Sequence, residues 1–334
     1  MTDMKPSILV TRAIFPDVIE RLAQYFDVDD NQEDLVLDSA ALRDRLAGKA
    51  GVLANAADRI DGELVGALPQ LRAVCNMAVG YNNLDLPALT AAGIVATNTP
   101  DVLTETTADF GWALLMATAR RVTEGEHYLR AGKWERWSYD MLVGMDVQGS
   151  TLGILGMGRI GQGLARRAAG FDMQVLYHNR SQLPDDVERS LNARYVSKAE
   201  LLQQSDHLIL VLPYSVESHH AIGAAEIAQM KPTATLINLA RGGIVDDAAL
   251  AAALRARKIF AAGLDVFEGE PSVHPDLLTV PNVVLTPHIA SASEKTRRAM
   301  ANLAADNLIA ALDVGPQAGK PPTVVNPEVM ARRR

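Results

Sequence analysis

The stretch Gly153-Ile154-Leu155-Gly156-Met157-Gly158-Arg159-Ile160-Gly161 decides the fold predicted for this 334-residue chain. It begins inside an apolar run, residues 151–155, that is typical of a buried strand. It leads into a pattern that places Ile160, Leu164 and Ala168 on one face of a helix. A strand that turns sharply into a helix, with glycines at G-x-G-x-x-G spacing, predicts the first unit of a dinucleotide-binding sheet.

Each glycine of this motif has a separate physical role. Gly156 permits the tight turn, Gly158 lets the backbone approach a pyrophosphate, and Gly161 lets the helix pack against the strand. The backbone amides of Arg159 and Ile160, at the start of the helix, then face the phosphates. The motif alone leaves open the alternative of an ordinary tight turn between a strand and a helix.

The residues at the end of the next predicted strand indicate which dinucleotide is bound. A site that prefers NAD usually has Asp or Glu about 20 residues after the glycines, on the ribose 2′-hydroxyl. This chain instead has Asn179-Arg180-Ser181 at that place. Arg180 can pair with a 2′-phosphate, while Asn179 and Ser181 can donate hydrogen bonds to it. We therefore predict a preference for NADP(H); the alternative for Arg180 is a solvated loop arginine.

Short strands alternate with helices on both sides of the motif. Strand candidates lie at residues 8–10, 51–54, 72–75 and 94–96, and then at 151–155, 174–178, 208–212, 235–239, 260–264 and 283–286. This alternation implies parallel sheets that are covered on both faces. The sequence therefore predicts an α/β fold with two doubly wound parallel-sheet domains. Residues 101–290 would form a dinucleotide-binding domain inserted into a domain of residues 1–100 and 291–334.

The composition excludes several classes of function. The chain has 32 Lys and Arg against 40 Asp and Glu, a formal net charge of −8, so nucleic-acid binding as its main activity is disfavoured. No apolar run approaches the ~20 residues of a membrane span, and no signal peptide is visible. The single cysteine, Cys75, excludes an internal disulfide and a thiolate-rich metal site and is predicted to be a small buried residue. We predict a cytoplasmic protein without a metal ion.

Four ionisable residues follow, or end, predicted strands of the second sheet. They are Arg241, Asp265, Glu270 and His288. Ligands of open parallel sheets bind at the carboxyl ends of the strands. These four residues are therefore predicted on the same edge as the glycine-rich turn.

Three of these side chains suit hydride transfer at a 2-oxo acid. Arg241 can hold a carboxylate through two hydrogen bonds, and His288 can supply or remove the proton of the carbonyl oxygen. A glutamate beside the histidine, Glu270, favours the charged imidazolium and keeps that proton available. Each residue taken singly has a simpler alternative. Arg241 could form a surface ion pair, His288 could cap a turn, and Glu270 could be a solvated loop carboxylate.

At these residues the chain resembles the D-2-hydroxyacid dehydrogenase family, over nearly its whole length. The resemblance lies in five ordered segments, residues 153–161, 212–213, 237–247, 263–271 and 286–291. The segment Asn179-Arg180-Ser181 is similar to the NADP-dependent glyoxylate/hydroxypyruvate reductase branch, which includes 2-ketogluconate reductases. The resemblance implies a homodimer in which a Rossmann dinucleotide-binding domain is inserted into a flavodoxin-like substrate domain.

The resemblance also implies roles for individual residues. Arg241 would bind the substrate carboxylate and carbonyl, and Glu270 would polarise His288, the acid/base. Asp265 would hold the nicotinamide carboxamide. The full set implied to bind the cofactor is Thr107, Gly156, Gly158, Arg159, Ile160, Gly161, Asn179, Arg180, Ser181, Leu212, Pro213, Ser218, Leu239, Ala240, Arg241, Asp265, His288 and Ala290.

Other positions bear on the substrate and on assembly. The backbone amides of Val79 and Gly80 would receive the substrate carboxylate. Asn55 stands where some relatives that handle phosphoglycerate carry arginine, which argues against a phosphorylated substrate. Ala290 stands where many relatives have glycine, so its approach to the nicotinamide would differ slightly. Trp137 lies in a segment that resembles the family's dimerisation arm, and both a contact with the partner subunit and plain core packing remain open.

The resemblance and the site residues together imply reduction of a small 2-oxo acid by NADPH, with glyoxylate and hydroxypyruvate as leading substrates. Closure of the two domains would exclude water from the site. A 2-ketogluconate reductase is the alternative within the class, and a phosphoglycerate dehydrogenase is disfavoured because little chain follows Ala311. The alternative from another class is a scaffold or co-repressor that senses a dinucleotide without turnover. The joint presence of Arg241, Glu270 and His288 argues against it.

Overall fold

The computed structural model describes residues 5–332, and these form strands and helices in regular alternation. The strands are β1 (Ser7–Val10), β2 (Asp27–Asp30), β3 (Gly51–Ala54), β4 (Ala73–Asn76), β5 (Val95–Thr97), β6 (Thr151–Leu155), β7 (Gln174–His178), β8 (Ala193–Tyr195), β9 (His207–Leu210), β10 (Thr235–Asn238), β11 (Ala261–Leu264) and β12 (Val283–Leu285). The helices are α1 (Pro16–Ala23), α2 (Ser39–Leu46), α3 (Gly62–Gly66), α4 (Leu86–Ala91), α5 (Thr104–Ala119), α6 (Val122–Arg130), α7 (Arg159–Ala168), α8 (Asp185–Leu191), α9 (Lys198–Gln204), α10 (Ala224–Ile227), α11 (Asp247–Arg255), α12 (Glu294–Ala311) and α13 (Glu328–Arg332).

The described residues up to Leu103, together with those from Ser293 onward, form the first of two compact units. Its five strands are all parallel, in the order β2-β1-β3-β4-β5, which is the flavodoxin-like order. Helix α12 packs on β3 and β4, and a Cβ on Gly51 would lie only 2.8 Å from Leu308 Cδ1. The absence of a side chain on this glycine therefore lets the returning helix approach the sheet closely.

Residues Thr104–Ala292 form the second unit, built on seven parallel strands. Their order, β12-β11-β10-β9-β6-β7-β8, is the Rossmann order with one further strand beyond the sixth. Apolar clusters cover both faces of this sheet, and α5 packs against α7, β10 and β11. The predicted α/β fold with two doubly wound parallel sheets is confirmed. The strand order reverses between β6 and β9, which is where such a sheet binds its ligand.

Two strands, β2 and β8, were not predicted from the sequence. Both lie at the edge of a sheet. Three of the four residues of β2 are aspartates, and β8 is only three residues long. An edge strand has one neighbour and an exposed side, and charged side chains there discourage pairing with other chains. These strands therefore lack the apolar run by which the central strands are recognised.

Cys75 lies in β4 and is fully buried, as the sequence predicts. Burial raises the pKa of its thiol to about 12, against a smaller opposing effect of a hydrogen bond with Thr97. The residue therefore packs as a small protonated side chain. Among the described residues, no helix combines the length and the apolar character that crossing a bilayer demands.

Candidate active site

The glycine-rich turn joins β6 to α7 with a geometry that requires glycine at two positions. Gly156 has a φ of +105°, and a Cβ there would lie 2.7 Å from Leu212 N. A Cβ on Gly161 would overlap the carbonyl oxygen of Gly156. Around Gly158 the described residues leave open space, with no non-adjacent atom within 4 Å of its Cβ position. Open backbone at the start of the ten-residue helix α7 fits the pyrophosphate of a dinucleotide.

The segment predicted to bind a 2′-phosphate follows β7. Asn179 Oδ1 accepts a hydrogen bond from Met157 N at 2.7 Å, so this side chain fastens the glycine-rich turn, a role not predicted from the sequence. Arg180 and Ser181 are exposed. The pKa of Glu217 lies below its usual value because it accepts hydrogen bonds from its own backbone amide and from Ser215, with a further contribution from the charge of Arg180. Arg180 is therefore within electrostatic reach of the loop that follows β9.

That loop, residues 211–220, contains three of the residues predicted to line the cofactor. Ser218 is buried, and its Oγ donates to the carbonyl oxygen of Pro213 at 3.1 Å and accepts from Ser215 N at 2.7 Å. The backbone of Leu212 lies against Gly156. The loop is therefore folded on itself directly beside the glycine-rich turn.

The turn after β10 is shaped by Asn238, a residue that was not predicted to have a role. Its Oδ1 accepts from Ala240 N at 3.0 Å, and its Nδ2 donates to the carbonyl oxygen of Arg241 at 3.3 Å. Asparagine commonly forms this bond to the backbone two residues on, and its place before Arg241-Gly242-Gly243 is the signal that could have found it. Leu239 and Ala240 are buried in this turn, as is Thr107 in α5.

Asp265 is fully buried and holds the turn that carries His288. Its Oδ1 accepts from Thr286 Oγ1 at 2.7 Å and from Ile289 N at 2.8 Å, and its Oδ2 accepts from Ala290 N at 2.9 Å. Burial raises the pKa of Asp265, although these hydrogen bonds and the charge of His288 oppose the rise. The hydrogen bonds to Ile289 and Ala290 accompany a φ of +52° at His288, a left-handed conformation that glycine and asparagine adopt more readily than most other residues. The predicted contact of Asp265 with the nicotinamide stays a prediction.

Glu270 and His288 are in direct contact, which the sequence alone does not show. His288 Nδ1 lies 2.8 Å from Glu270 Oε2, and Glu270 Oε1 accepts a hydrogen bond from Phe267 N at 2.9 Å. Burial raises the pKa of Glu270, but the hydrogen bond and charge of His288, the Phe267 amide and the charge of Arg241 outweigh it. The pKa of Glu270 therefore lies below its usual value and the carboxylate is ionised near neutral pH. Nε2, across the ring from Nδ1, is the atom that can exchange a proton with a ligand.

Arg241 lies close enough to Glu270 for each charge to affect the other. Burial lowers the pKa of the guanidinium, and the attraction of Glu270 opposes this. An arginine nevertheless keeps its charge in a protein. Arg241 Nη1 donates to the carbonyl oxygen of Ala240 at 2.7 Å. The second unit thus brings Arg241, Glu270 and His288 together after strands β10, β11 and β12.

The loop that carries Glu270 is docked onto the turn after β10 by two residues for which no role was predicted. A methyl group on Gly242 would overlap the carbonyl group of Phe267 and lie 2.8 Å from Glu268 N. Asp247, which is buried at the start of α11, accepts a hydrogen bond from Glu268 N on its Oδ2 at 3.1 Å. The position of Glu270 therefore depends on a close backbone contact and on one buried carboxylate.

Asp247→Asn should make the free energy of unfolding less dependent on pH. Burial raises the pKa of Asp247 to about 6, with the hydrogen bond from Glu268 N opposing and the charges of Glu268 and Asp246 adding to the rise. An unfolded aspartate titrates near 3.9. Between these values the folded state binds more protons, so the wild-type protein loses stability as pH rises, by up to about 3 kcal/mol.

The asparagine keeps an oxygen for the Glu268 amide but has no charge to lose. The difference in melting temperature between Asp247→Asn and the wild type should therefore favour the variant more at about pH 7 than at about pH 4. Thermal unfolding at both pH values measures this. An equal difference at both would contradict the buried, proton-binding state of Asp247.

In the first unit, the residues predicted to bind substrate lie in turns after β3 and β4. Asn55 Nδ2 donates to Asp58 Oδ2 at 2.9 Å. The carbonyl oxygens of Val79 and Gly80 each accept a hydrogen bond from an asparagine side chain, at 2.8 and 3.0 Å. These turns are fixed at the carboxyl ends of their strands, the edge at which a parallel sheet binds ligands. Their contact with a substrate stays a prediction.

The segment between α6 and β6 exposes large apolar side chains. Trp137 is 63% exposed and meets Tyr139 edge to face, with ring centroids 4.6 Å apart. Core packing, one of the two alternatives for Trp137, is therefore wrong within this unit. The exposed apolar side chains of α6 and of the segment that follows it, here called the arm patch, are Val122, Leu129, Trp134, Trp137, Tyr139 and Val143.

Comparison with known proteins identifies first the class of enzyme and then the protein family to which the chain belongs. Residues 112–290 match the family model for the NAD-binding domain of D-isomer specific 2-hydroxyacid dehydrogenases. With the strand order and the glycine-rich turn, this match defines an enzyme with an NAD(P)-binding domain. The chain is 44% identical to a glyoxylate reductase of Thermococcus onnurineus over 99% of both chains. It is 45% identical to a glyoxylate reductase of Thermococcus gammatolerans over 98% of both chains.

A solved structure is similar over almost the same length. The NADPH-dependent glyoxylate/hydroxypyruvate reductase from Sinorhizobium meliloti, in complex with NADP and malonate, superimposes with a TM-score of 0.85. It is 38% identical, and the match covers 96% of this chain and 97% of that chain. The chain therefore belongs to the D-isomer specific 2-hydroxyacid dehydrogenase family, and the resemblance seen in the sequence is confirmed.

Proposed function

We propose that the chain reduces small 2-oxo acids, with glyoxylate and hydroxypyruvate as leading substrates, to D-2-hydroxy acids with NADPH. The observation that carries this proposal is the 2.8 Å contact of Glu270 with His288, beside Arg241 and at the ligand-binding edge of the Rossmann sheet. The activities of the relatives support it. Two of them are glyoxylate reductases, and the similar solved structure is that of an NADPH-dependent glyoxylate/hydroxypyruvate reductase.

The chain's own residues bind the substrate and move its proton. When bound, NADPH supplies the hydride. The planar guanidinium of Arg241 binds and orients the substrate carboxylate. His288 gives a proton from its Nε2 to the carbonyl oxygen and so neutralises the negative charge that develops there. Glu270, ionised, holds the Nδ1 side of the ring and stabilises the imidazolium until the proton is transferred.

The two parts of the chain take different roles in this proposal. Residues 101–290 bind the dinucleotide, with Arg180 on its 2′-phosphate. Residues 1–100 and 291–334 bind the substrate, whose carboxylate is received by the backbone amides of Val79 and Gly80. Asn55, in place of an arginine, favours a substrate without a phosphate group.

We assign the protein to the cytoplasm as a homodimer. Its single cysteine is buried and the chain has no internal disulfide, which fits a reducing compartment. The arm patch supplies the surface for dimerisation, because large exposed apolar side chains, such as the contacting pair Trp137 and Tyr139, are commonly covered in protein–protein contacts.

Purified protein should oxidise NADPH when glyoxylate is added, and should use NADPH better than NADH. Arg180→Ala should raise the KM for NADPH by about 10–100-fold, because a charge-assisted contact contributes about 1.5–3 kcal/mol. The same variant should leave the KM for NADH unchanged, since NADH has no 2′-phosphate. The absorbance of the reduced nicotinamide measures both rates. Arg189→Ala, which removes another exposed arginine of the same unit, serves as the matched control.

Three outcomes of this assay would count against parts of the proposal. Faster turnover of NADH by the wild-type protein would overturn the cofactor preference. Much faster turnover of 2-ketogluconate than of glyoxylate would assign the alternative substrate. Saturable NADPH binding without turnover of any 2-oxo acid would indicate a dinucleotide-sensing scaffold.

A further inference from the structure

We propose that His219, His220 and Glu268 form a binding site for a divalent transition metal ion of the zinc, nickel or copper class. One ligand atom from each of these side chains lies within 4.8 Å of the other two. Imidazole nitrogens with a carboxylate oxygen are a donor set that such ions prefer. None of the three residues has a role in the proposed reaction, so the site goes beyond that function.

Hydrogen bonds fix the backbone of the ligands before any ion enters. His220 N donates to the carbonyl oxygen of Gly243 at 2.7 Å, which joins its loop to residues 243–246. Glu268 N donates to Asp247 Oδ2 at 3.1 Å. A metal site is favoured when its ligands are held near the required positions, because less ordering is needed on binding.

Polar groups also lie beside the ring nitrogens of both histidines. The rings of His219 and His220 stack with centroids 3.9 Å apart, and Tyr214 Oη lies 3.2 Å from His219 Nδ1. His220 Nε2 lies 2.9 Å from Glu268 Oε2, and on the other side of the ring Nδ1 lies 4.0 Å from Asp246 Oδ2. One nitrogen of each ring lies close enough to a carboxylate oxygen of Glu268 for a single ion to bridge all three side chains after a small rotation of the rings. A group behind the second ring nitrogen is the usual arrangement for metal-bound histidines.

A simple ion pair between His220 and Glu268 accounts for less of this geometry. It needs only one imidazole, whereas two stand stacked at this place. A metal ion uses both imidazoles together with the carboxylate, which is the full set of side chains found here.

A bound ion would link two loops of the second unit. His219 and His220 end the loop of residues 211–220, which contains Ser218, and Glu268 lies two residues before Glu270. The ion would tie the loop after β9 to the loop after β11 and so stabilise the folded state. We therefore expect the ion to raise the melting temperature, by an amount that increases with the logarithm of the ion concentration above the dissociation constant.

Titration of Zn²⁺ into the full chain, followed by calorimetry and by melting temperature, tests the site. Saturable, stoichiometric uptake of Zn²⁺ is expected, with no uptake of Mg²⁺, which prefers oxygen ligands and water. His219→Ala and Glu268→Gln should each weaken binding by at least about 10–100-fold, because even loss of an outer partner of a metal-bound histidine has that effect. His220→Asn should do the same, and asparagine tolerates the φ of +49° at this position.

His127→Ala is the matched control. His127 is also exposed, and its Nε2 lies 3.8 Å from a carboxylate oxygen of Glu126, but neither residue belongs to the His219–His220–Glu268 cluster. This variant should bind Zn²⁺ as the wild type does. Wild-type affinity in His219→Ala and Glu268→Gln would overturn the proposal, as would loss of binding only in His288→Asn. Equal melting temperatures of the ion-free proteins would show that the variants are folded.

Discussion

His288→Asn should lower kcat for 2-oxo acid reduction by about 10²–10⁴-fold, the usual contribution of a general acid. Asparagine has no proton to give at neutral pH, so the charge on the carbonyl oxygen would develop without neutralisation. It does tolerate the φ of +52° at this position, so the turn held by Asp265 should keep its shape. NADPH binding, measured by fluorescence titration, should therefore stay close to that of the wild type. Steady-state rates with glyoxylate measure the loss of turnover.

Two carboxylates on the same loop provide a matched comparison. Glu270→Gln keeps the shape of the partner of His288 and removes its charge, so turnover should fall by about tenfold or more. Glu268→Gln removes the charge of a neighbour that contacts His220, and turnover should be unchanged. Full turnover in His288→Asn would remove this histidine from the mechanism. Equal losses of turnover in Glu270→Gln and Glu268→Gln would indicate that the rate depends on the overall negative charge of the loop and not on the contact of Glu270 with His288.

The central strands of both sheets were predictable because burial on both faces leaves an apolar run in the sequence. The predicted and observed residues coincide for β3, β6 and β7. The edge strands β2 and β8 were not predictable by the same reasoning, because their exposed side carries polar and charged residues. The prediction failed where the physical requirement for an apolar sequence is absent.

The convergence of Arg241, Glu270 and His288 was predictable for a topological reason. The carboxyl ends of parallel strands meet at one edge, so residues that follow different strands become neighbours. The supporting residues Gly242 and Asp247 were harder to find. Their roles depend on which backbone group lies opposite each of them, and the local sequence does not contain that information. The contact of Glu270 with His288 was equally hard to predict, since it depends on the shapes of the two loops that carry these residues.

Gly242→Ala should lower both the stability and the turnover of the protein, whereas His288→Asn should lower turnover alone. The added methyl group would overlap the carbonyl group of Phe267. Backbone cannot rotate away as a flexible side chain can, so the loop of residues 266–271 must shift. Such overpacking costs about 1–3 kcal/mol of the free energy of unfolding. Thermal and denaturant unfolding measure this loss.

The same shift should reach the site through Phe267, whose amide donates to Glu270 Oε1. A misplacement of about 1 Å in a catalytic group can cost about 100-fold in rate, so kcat should fall by a similar factor. Gly170→Ala is the matched control: among the described residues no non-adjacent atom lies within 4 Å of its Cβ position, and both properties should be unchanged. Reduced stability with full turnover in Gly242→Ala would mean that the loop moves without disturbing the reaction. The reaction rate would then not depend on the close contact of Glu270 with His288.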